Sequence, residues 1–295
     1  MRVFVIGASG LIGSTLIHKL KKKKIKAIGT YSLRKIKGLT KFDLLKDKVK
    51  DIFPDLSSSD VIILLSAYSN PHWIYKNKAE AKKLNILSTK NLIKDLYKIG
   101  CKLYFMSSVE VFNGKNGNYY ENSRPGPLNF YGKTKFFIEK YIKQKLKNYC
   151  IIRTGWVVGR ENLNRCVISM TYKSLLKRDA KMAYDNIFSM TDIDDLCRSL
   201  VSLITIGKLQ KIKIAHVCSP QKIVRSALAD FIIKFSKKRS KMKYAPVKFN
   251  QIRYSEPRGK INNLLTLHKE LKNRKYKNFK EIIKKKVAFL DRSFK

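Results

Sequence analysis

Residues 2–13 constrain the rest of the chain more than any other stretch. An apolar run rich in β-branched residues (Arg2-Val3-Phe4-Val5-Ile6) leads into Gly7-Ala8-Ser9-Gly10-Leu11-Ile12-Gly13, and a helical period follows over 11–22. Strand, glycine turn and helix together make the unit that opens a parallel sheet with crossover helices. The first glycine of such a turn permits the bend, the second lets backbone amides approach a pyrophosphate, and the third lets helix pack on strand. The helix N-terminus adds positive potential and free N–H groups. Gly7, Ser9, Gly10, Leu11, Ile12 and Gly13 are therefore candidates for holding a dinucleotide. A P-loop is excluded, because no Gly-Lys-Ser/Thr follows at the required spacing.

The alternation continues along the chain. Strands are predicted at 25–31, 60–67, 102–107 and 149–154, and helices at 44–53, 76–99 and 130–147, with 108–128 rich in turns. Beyond Gly159 the order loosens. Helices are expected near 163–177, 193–205 and 223–237, and a strand at 212–217. An irregular basic stretch covers 239–262, with one or two Lys-rich helices after it. The fold class implied is α/β, a Rossmann-type doubly wound parallel sheet over 1–158 with a smaller, basic, interleaved α/β substrate lobe over 159–295.

Composition narrows the setting. Five scattered cysteines with no C-x-x-C spacing argue against a disulfide framework or a metal site and for a reduced, cytoplasmic environment. The apolar start is broken by glycines and ends in Lys21-Lys22-Lys23-Lys24 rather than a small-residue cleavage site, unlike a signal peptide. No window offers the roughly 20 apolar residues of a membrane span. The net charge is +43, and residues 206–295 hold 26 Lys or Arg against 5 Asp or Glu. Such a field attracts a negatively charged substrate. No nucleic-acid-binding motif accompanies it, so nucleic acid is not the expected partner.

Tyr131 and Lys135 lie four residues apart on one predicted helix face, with Ser108 just past the predicted strand 102–107. In that arrangement the ammonium lowers the tyrosine pKa and reaches a cofactor ribose, the tyrosine protonates a carbonyl oxygen, and the serine orients it. The pair alone carries little information among 15 tyrosines. Its neighbours carry more: Ser107-Ser108, Val111-Phe112, Tyr120-Glu121, Pro127-Leu128, Tyr131-Gly132-Lys133-Thr134-Lys135 and Glu139. With the glycine turn, this order resembles the extended short-chain dehydrogenase/reductase superfamily. The resemblance implies a nicotinamide dinucleotide contacted by Ser107, Tyr131 and Lys135. Further contacts are implied at Tyr31, Ser32, Arg34, Lys35, Asp43, Leu44, Ser66, Ala67, Tyr68 and Asn85. Thr30-Tyr31-Ser32-Leu33-Arg34-Lys35 has no carboxylate for a ribose diol but has a hydroxyl and two cations, which favours NADPH over NADH.

Three further blocks resemble the dTDP-4-dehydrorhamnose reductase family within that superfamily. They are Ser107-Ser108-Val109-Glu110-Val111-Phe112-Asn113-Gly114, Arg153-Thr154-Gly155-Trp156-Val157-Val158-Gly159, and Pro257-Arg258 followed by Asn262-Asn263-Leu264. The implied substrate is a nucleotide sugar, lined by Ser69, Val109, Glu110 and Trp156, and a homodimer is compatible with the family. The chain departs from the family between Ala67-Tyr68-Ser69 and Asn85. Pro71-His72-Trp73-Ile74-Tyr75 stands there instead of two carboxylates, and Val109 replaces an aspartate. These changes leave the sugar open. A lone histidine such as His72 beside a tryptophan more often packs than catalyses. An epimerase or dehydratase of the same superfamily is the alternative enzyme. The alternative of another class is a non-catalytic dinucleotide-binding protein such as the regulatory subunit of methionine adenosyltransferase.

Overall fold

The computed structural model describes residues 1–159, 166–177 and 179–294. The first half of the chain contains β1 (Val3–Ile6), α1 (Leu11–Lys22), β2 (Ala27–Tyr31), β3 (Thr40–Lys41), α2 (Val49–Ile52), β4 (Val61–Leu64), α3 (Pro71–Lys76), α4 (Lys78–Lys82), α5 (Thr89–Ile99), β5 (Lys102–Met106), α6 (Phe130–Lys145) and β6 (Tyr149–Arg153). The second half contains β7 (Trp156–Val158), α7 (Val167–Leu175), β8 (Lys181–Ala183), β9 (Ile187–Asp192), α8 (Ile193–Thr205), α9 (Gly207–Gln210), β10 (Ile214–His216), β11 (Lys222–Val224), α10 (Arg225–Phe235), β12 (Ala245–Val247), β13 (Ile261–Asn262), α11 (Lys269–Lys272) and α12 (Phe279–Ser293).

Seven strands form one parallel sheet in the order β10-β6-β5-β4-β1-β2-β3. The chain winds outward from β1 to β3, then returns to the other side at β4. The crevice at the C-terminal ends of β1 and β4 is thus the switch point where doubly wound sheets bind ligands. β1 and β4 are buried along their whole length because helices cover both faces. On one face α1 buries Gly13, Leu16, Ile17 and Leu20, spaced as one helical stripe, against Leu196 and Leu200 of α8. On the other face Leu92 and Leu96 of α5 meet Ile138 and Ile142 of α6 over Phe4 and Ile62. Replacing any of these leucines by Ala is expected to cost about 2–5 kcal/mol.

A smaller sheet, β11-β9-β13 with β7 also paired to β9, packs under α7, α10 and α12 around Phe188, Ile232 and Val287. The chain passes between the layers more than once. After β9, α8 packs on α1 and β10 becomes the edge strand beside β6, before α10 returns to the small lobe. Among the described residues no helix is long and apolar enough to cross a membrane.

Several elements differ from the sequence expectation, and side chains explain most of the differences. The predicted helix 44–53 contracts to α2, because Asp43 and Asp47 accept the amides of Leu45 (3.0 Å) and Asp43 (2.6 Å) and hold a turn instead. The predicted helix 76–99 breaks at Asn77, whose side chain donates to the carbonyl of Trp73 (2.8 Å), and a π-helical turn occupies Lys83–Ser88. Helix 163–177 is observed as α7, and residues 163–165 lie outside the described residues. The stretch 239–262, read as irregular, contributes β12 and β13.

Candidate functional site

The glycine turn is closed to side chains. Gly7 has φ +91°, and a Cβ there would lie 2.7 Å from Ser66 Oγ. A Cβ on Gly13 would lie 2.4 Å from the Gly7 carbonyl and 2.5 Å from Ala8 Cα, so helix and strand approach as closely as backbone allows. Thr30 fixes the turn from β2, its hydroxyl accepting the Gly7 amide (3.2 Å) and its carbonyl the Ser9 amide (3.2 Å). The twelve-residue α1 that follows has no side-chain cap and no acidic residue in its first turn. A cradle that excludes Cβ atoms, placed before an uncapped helix start at the switch point, fits a dinucleotide pyrophosphate.

The remaining expected cofactor residues fall into two groups. Tyr31 ends β2 half-buried, and Ser32, Arg34 and Lys35 follow it exposed. Ser66, Ala67 and Tyr68 follow β4, with Ser69 exposed beyond them. Asn85, on the π-turn, clamps the Tyr68 backbone with a pair of hydrogen bonds, each 2.9 Å. A π-turn at this place is in keeping with their frequency at functional sites. Asp43 and Leu44 lie on the turn after β3. The Asp43 carboxylate orders its own turn, and Leu44 is buried beside a cavity of about 610 Å³ between that turn, α5 and α6.

Ser108, Tyr131 and Lys135 converge. Asn129 starts α6, its Oδ1 accepting the Gly132 amide (2.8 Å), and this sets Tyr131 in the first turn with Lys135 one turn further on. The Ser108 side chain acts on the Tyr131 hydroxyl, and Ser108 Oγ accepts the Glu110 amide (3.2 Å). All three residues are buried. Lys135 Nζ donates to the Met106 carbonyl at the end of β5 (2.9 Å) and lies 5.8 Å from the Tyr131 ring centroid. Burial lowers its pKa to about 8, with Glu139 opposing. Burial, followed by the charge of Glu110, pushes the Tyr131 hydroxyl well above its ordinary value, and the Ser108 side chain opposes them. This corrects the expectation that the ammonium lowers the tyrosine pKa. Desolvation dominates, and it keeps Tyr131 protonated, the form in which it can donate.

Ser107 belongs to the support beneath the pair. Its hydroxyl donates to Glu139 (2.5 Å), which also holds the fully buried Arg153 (2.6 Å). Val109 faces a cluster with Val111, Phe112, Tyr119 and Leu264. Burial raises the Glu110 carboxyl, and its Oε2 accepts from Asn129 Nδ2 (2.6 Å). The divergent 71–75 segment is α3. Trp73 packs on Tyr68 with ring centroids 4.3 Å apart, and Ile74 is buried in the cluster around Tyr131. His72 is exposed, with its Nδ1 3.3 Å from Ser255 Oγ. Trp156 lies on β7, edge-on to Phe188 at 6.5 Å. Sequence reasoning missed Asn129, the cap that aims Tyr131, although Asn before a helical run is itself a start signal. It also missed Glu256, which accepts the Phe130 amide (3.1 Å) from 126 residues away, a contact with no local signal.

This sheet, this turn and this serine–tyrosine–lysine set define an extended short-chain dehydrogenase/reductase. The chain belongs to the family described as RmlD substrate binding domain, whose model matches residues 1–291. It is 30% identical over 173 residues to methionine adenosyltransferase 2 subunit beta of Bos taurus, a match covering 58% of this chain and 52% of that protein. The chain thus spans about half the length of the curated relatives it matches. In fold it is similar to a dTDP-4-dehydrorhamnose reductase of Clostridium acetobutylicum, with TM-score 0.80 and 22% identity over 98% of this chain and 99% of that one. The enzyme of the same name from Bacillus anthracis, solved in complex with NADP, gives TM-score 0.77 and 22% identity over 97% and 98%.

Proposed function

We propose that this chain is an oxidoreductase that uses NADPH to reduce the 4-keto group of a nucleotide-activated deoxysugar. The convergence of buried Ser108, Tyr131 and Lys135, with Asn129 setting Tyr131 in the first turn of α6 and Lys135 on the next, is the observation that carries this reading. When bound, the reduced dinucleotide supplies a hydride for the carbonyl carbon. Tyr131 delivers its proton to the carbonyl oxygen, and Ser108 holds that oxygen in place. Lys135, anchored on the Met106 carbonyl, keeps further N–H groups for a ribose hydroxyl. The Gly7–Gly13 turn and the start of α1 take the pyrophosphate, and the exposed Arg34 and Lys35 favour a 2′-phosphate over a bare ribose. The five cysteines are free, buried thiols, which supports a cytoplasmic setting.

Transfer of deuterium from NADPH labelled at nicotinamide C4 tests this directly. The expected product carries deuterium at sugar C4, and a product labelled elsewhere or unlabelled would rule the reaction out. The likeness to methionine adenosyltransferase 2 subunit beta supports a second reading, a dinucleotide-binding subunit without turnover. The convergence of Ser108 with Tyr131, which dinucleotide binding alone does not call for, weighs against it.

A further inference from the structure

A pocket of about 210 Å³ lies between α8 and the segment 274–276 that follows α11. From α8 come Asp195, Arg198 and Ser199, whose spacing of three and four residues puts them on one helix face. Lys277 ties the returning chain to that face. Its amide donates to Asp195 Oδ2 (2.7 Å) and its ammonium to Asp192 Oδ1 (2.6 Å). Arg274, Lys275 and Tyr276 are thereby brought over α8 to complete the lining. None of these six residues belongs to the glycine turn or to the groups around Tyr131.

The lining holds three cations against one carboxylate, and that carboxylate is already engaged. Asp195 is buried, with Oδ1 paired to the Arg198 guanidinium and Oδ2 accepting the Lys277 amide. Arg274 is the cation left without compensation. Its Nε is buried and has no hydrogen-bond partner among the described residues. Burial holds its pKa below the ordinary arginine value, opposed by the Tyr276 hydroxyl and reinforced by the like charge of Arg198. A guanidinium stays charged even so, and an unpaired buried donor costs about 1–3 kcal/mol. Burial also pushes Tyr276 up to about 12, with the nearby Ser199 opposing, so its hydroxyl stays protonated and able to donate. The pocket thus presents N–H and O–H donors and surplus positive charge to whatever enters it. Planar guanidinium forks match the paired oxygens of a phosphate. The volume equals that of roughly seven waters, room for a phosphate and a small attached group.

We propose that Arg274, with Arg198, Lys275 and the Tyr276 hydroxyl, forms a second binding site, for a phosphate group, apart from the dinucleotide turn and the carbonyl-reducing set. The test is isothermal titration of the full chain, at fixed ionic strength and saturating NADPH, with inorganic phosphate and with glycerol 3-phosphate. One saturable site is expected. Arg274→Gln should weaken it about 10–100-fold while leaving NADPH affinity unchanged. Arg274→Lys, which keeps the charge and loses the fork, should fall between. Lys272→Gln, an exposed charge two residues away on α11, should stay within about twofold, which controls for the +43 background. Should Arg274→Gln fail to fold, the exposed Lys275 decides the matter, and Lys275→Gln should weaken binding at least about threefold. Tighter binding of the ester supports the site as one for a phosphorylated metabolite, and equal binding supports it as one for free phosphate. No saturable binding of either probe, equal affinity in wild type and the Arg274 variants, or equal losses in Arg274→Gln and Lys272→Gln would overturn the proposal. Phosphate binding through Arg274 in a chain that fails to bind NADPH would remove the dinucleotide reading and leave this site standing.

Discussion

Lys135 sits near its own titration point at neutral pH. Its folded pKa of about 8 lies below the ordinary 10.5, so the charged form is disfavoured in the fold. Between those values the unfolded chain binds the extra proton, and stability therefore rises with pH across that window. Below pH 8 the full penalty is present. Lys135→Met should raise the unfolding free energy at pH 7 by about 2 kcal/mol, the pKa displacement less the lost bond to Met106. The gain should vanish by about pH 11, above the unfolded lysine's titration. Denaturant melts at the two pH values check this, and a variant less stable than wild type at pH 7 would contradict the account. The proposed reductase activity should be lost in this variant, the familiar exchange of function for stability. At this scale the sequence identified the pair but not its electrostatics, because spacing says that two groups meet and says nothing of how much water leaves.

Two glycines set how elements approach each other. A Cβ on Gly132 would fall 2.0 Å from the Glu110 carbonyl, so Gly132→Ala must push α6 off the Ser108–Val111 segment and separate Tyr131 from Ser108. The expected outcome is a turnover loss of about 100-fold or more with dinucleotide affinity nearly unchanged. Gly13→Ala, which drives a Cβ into the Gly7 carbonyl, should do the reverse and abolish dinucleotide binding in a fluorescence titration. If the two variants lost binding and turnover alike, the two roles would not be separable. Elements with strong periodicity were legible: α1 over 11–22 and α8 over 193–205 lie where the apolar spacing puts them. The π-turn at Lys83–Ser88 was not, since one wider turn barely disturbs an apolar stripe. The strands β7, β8, β9 and β11 were also missed. Three to six residues of mixed polarity carry no period, and their pairing is set by distant partners.

A buried polar network joins both halves of the molecule. Arg153 on β6 bonds Glu139, the Glu121 carbonyl and His216 on β10, while the Glu121 carboxylate accepts from the His216 amide, Thr266 and Leu267. Burial holds His216 down at about 4, with Arg153 adding to it and the Glu121 charge opposing. The unfolded histidine takes up its proton first on acidification, so stability should fall as pH drops from about 6.5 to 4. The lowered Glu121 carboxyl adds a loss of the same sign at the acid end. A denaturation midpoint independent of pH in that range would contradict this. Nothing local in the sequence announces that network, because its members lie up to 146 residues apart. The parallel sheet was legible from the strand–helix alternation, whereas the return of α8 and β10 to the large layer depends on contacts no motif encodes. The whole molecule is tested by its turnover. The central measurement is NADPH oxidation by wild type and Tyr131→Phe against a panel of dTDP-, UDP- and GDP-linked 4-keto-6-deoxysugars. The account predicts oxidation with at least one sugar and a fall of about 100- to 10,000-fold in kcat for Tyr131→Phe at unchanged NADPH affinity. Tight NADPH binding with no oxidation by any sugar, or full activity in Tyr131→Phe, would contradict it.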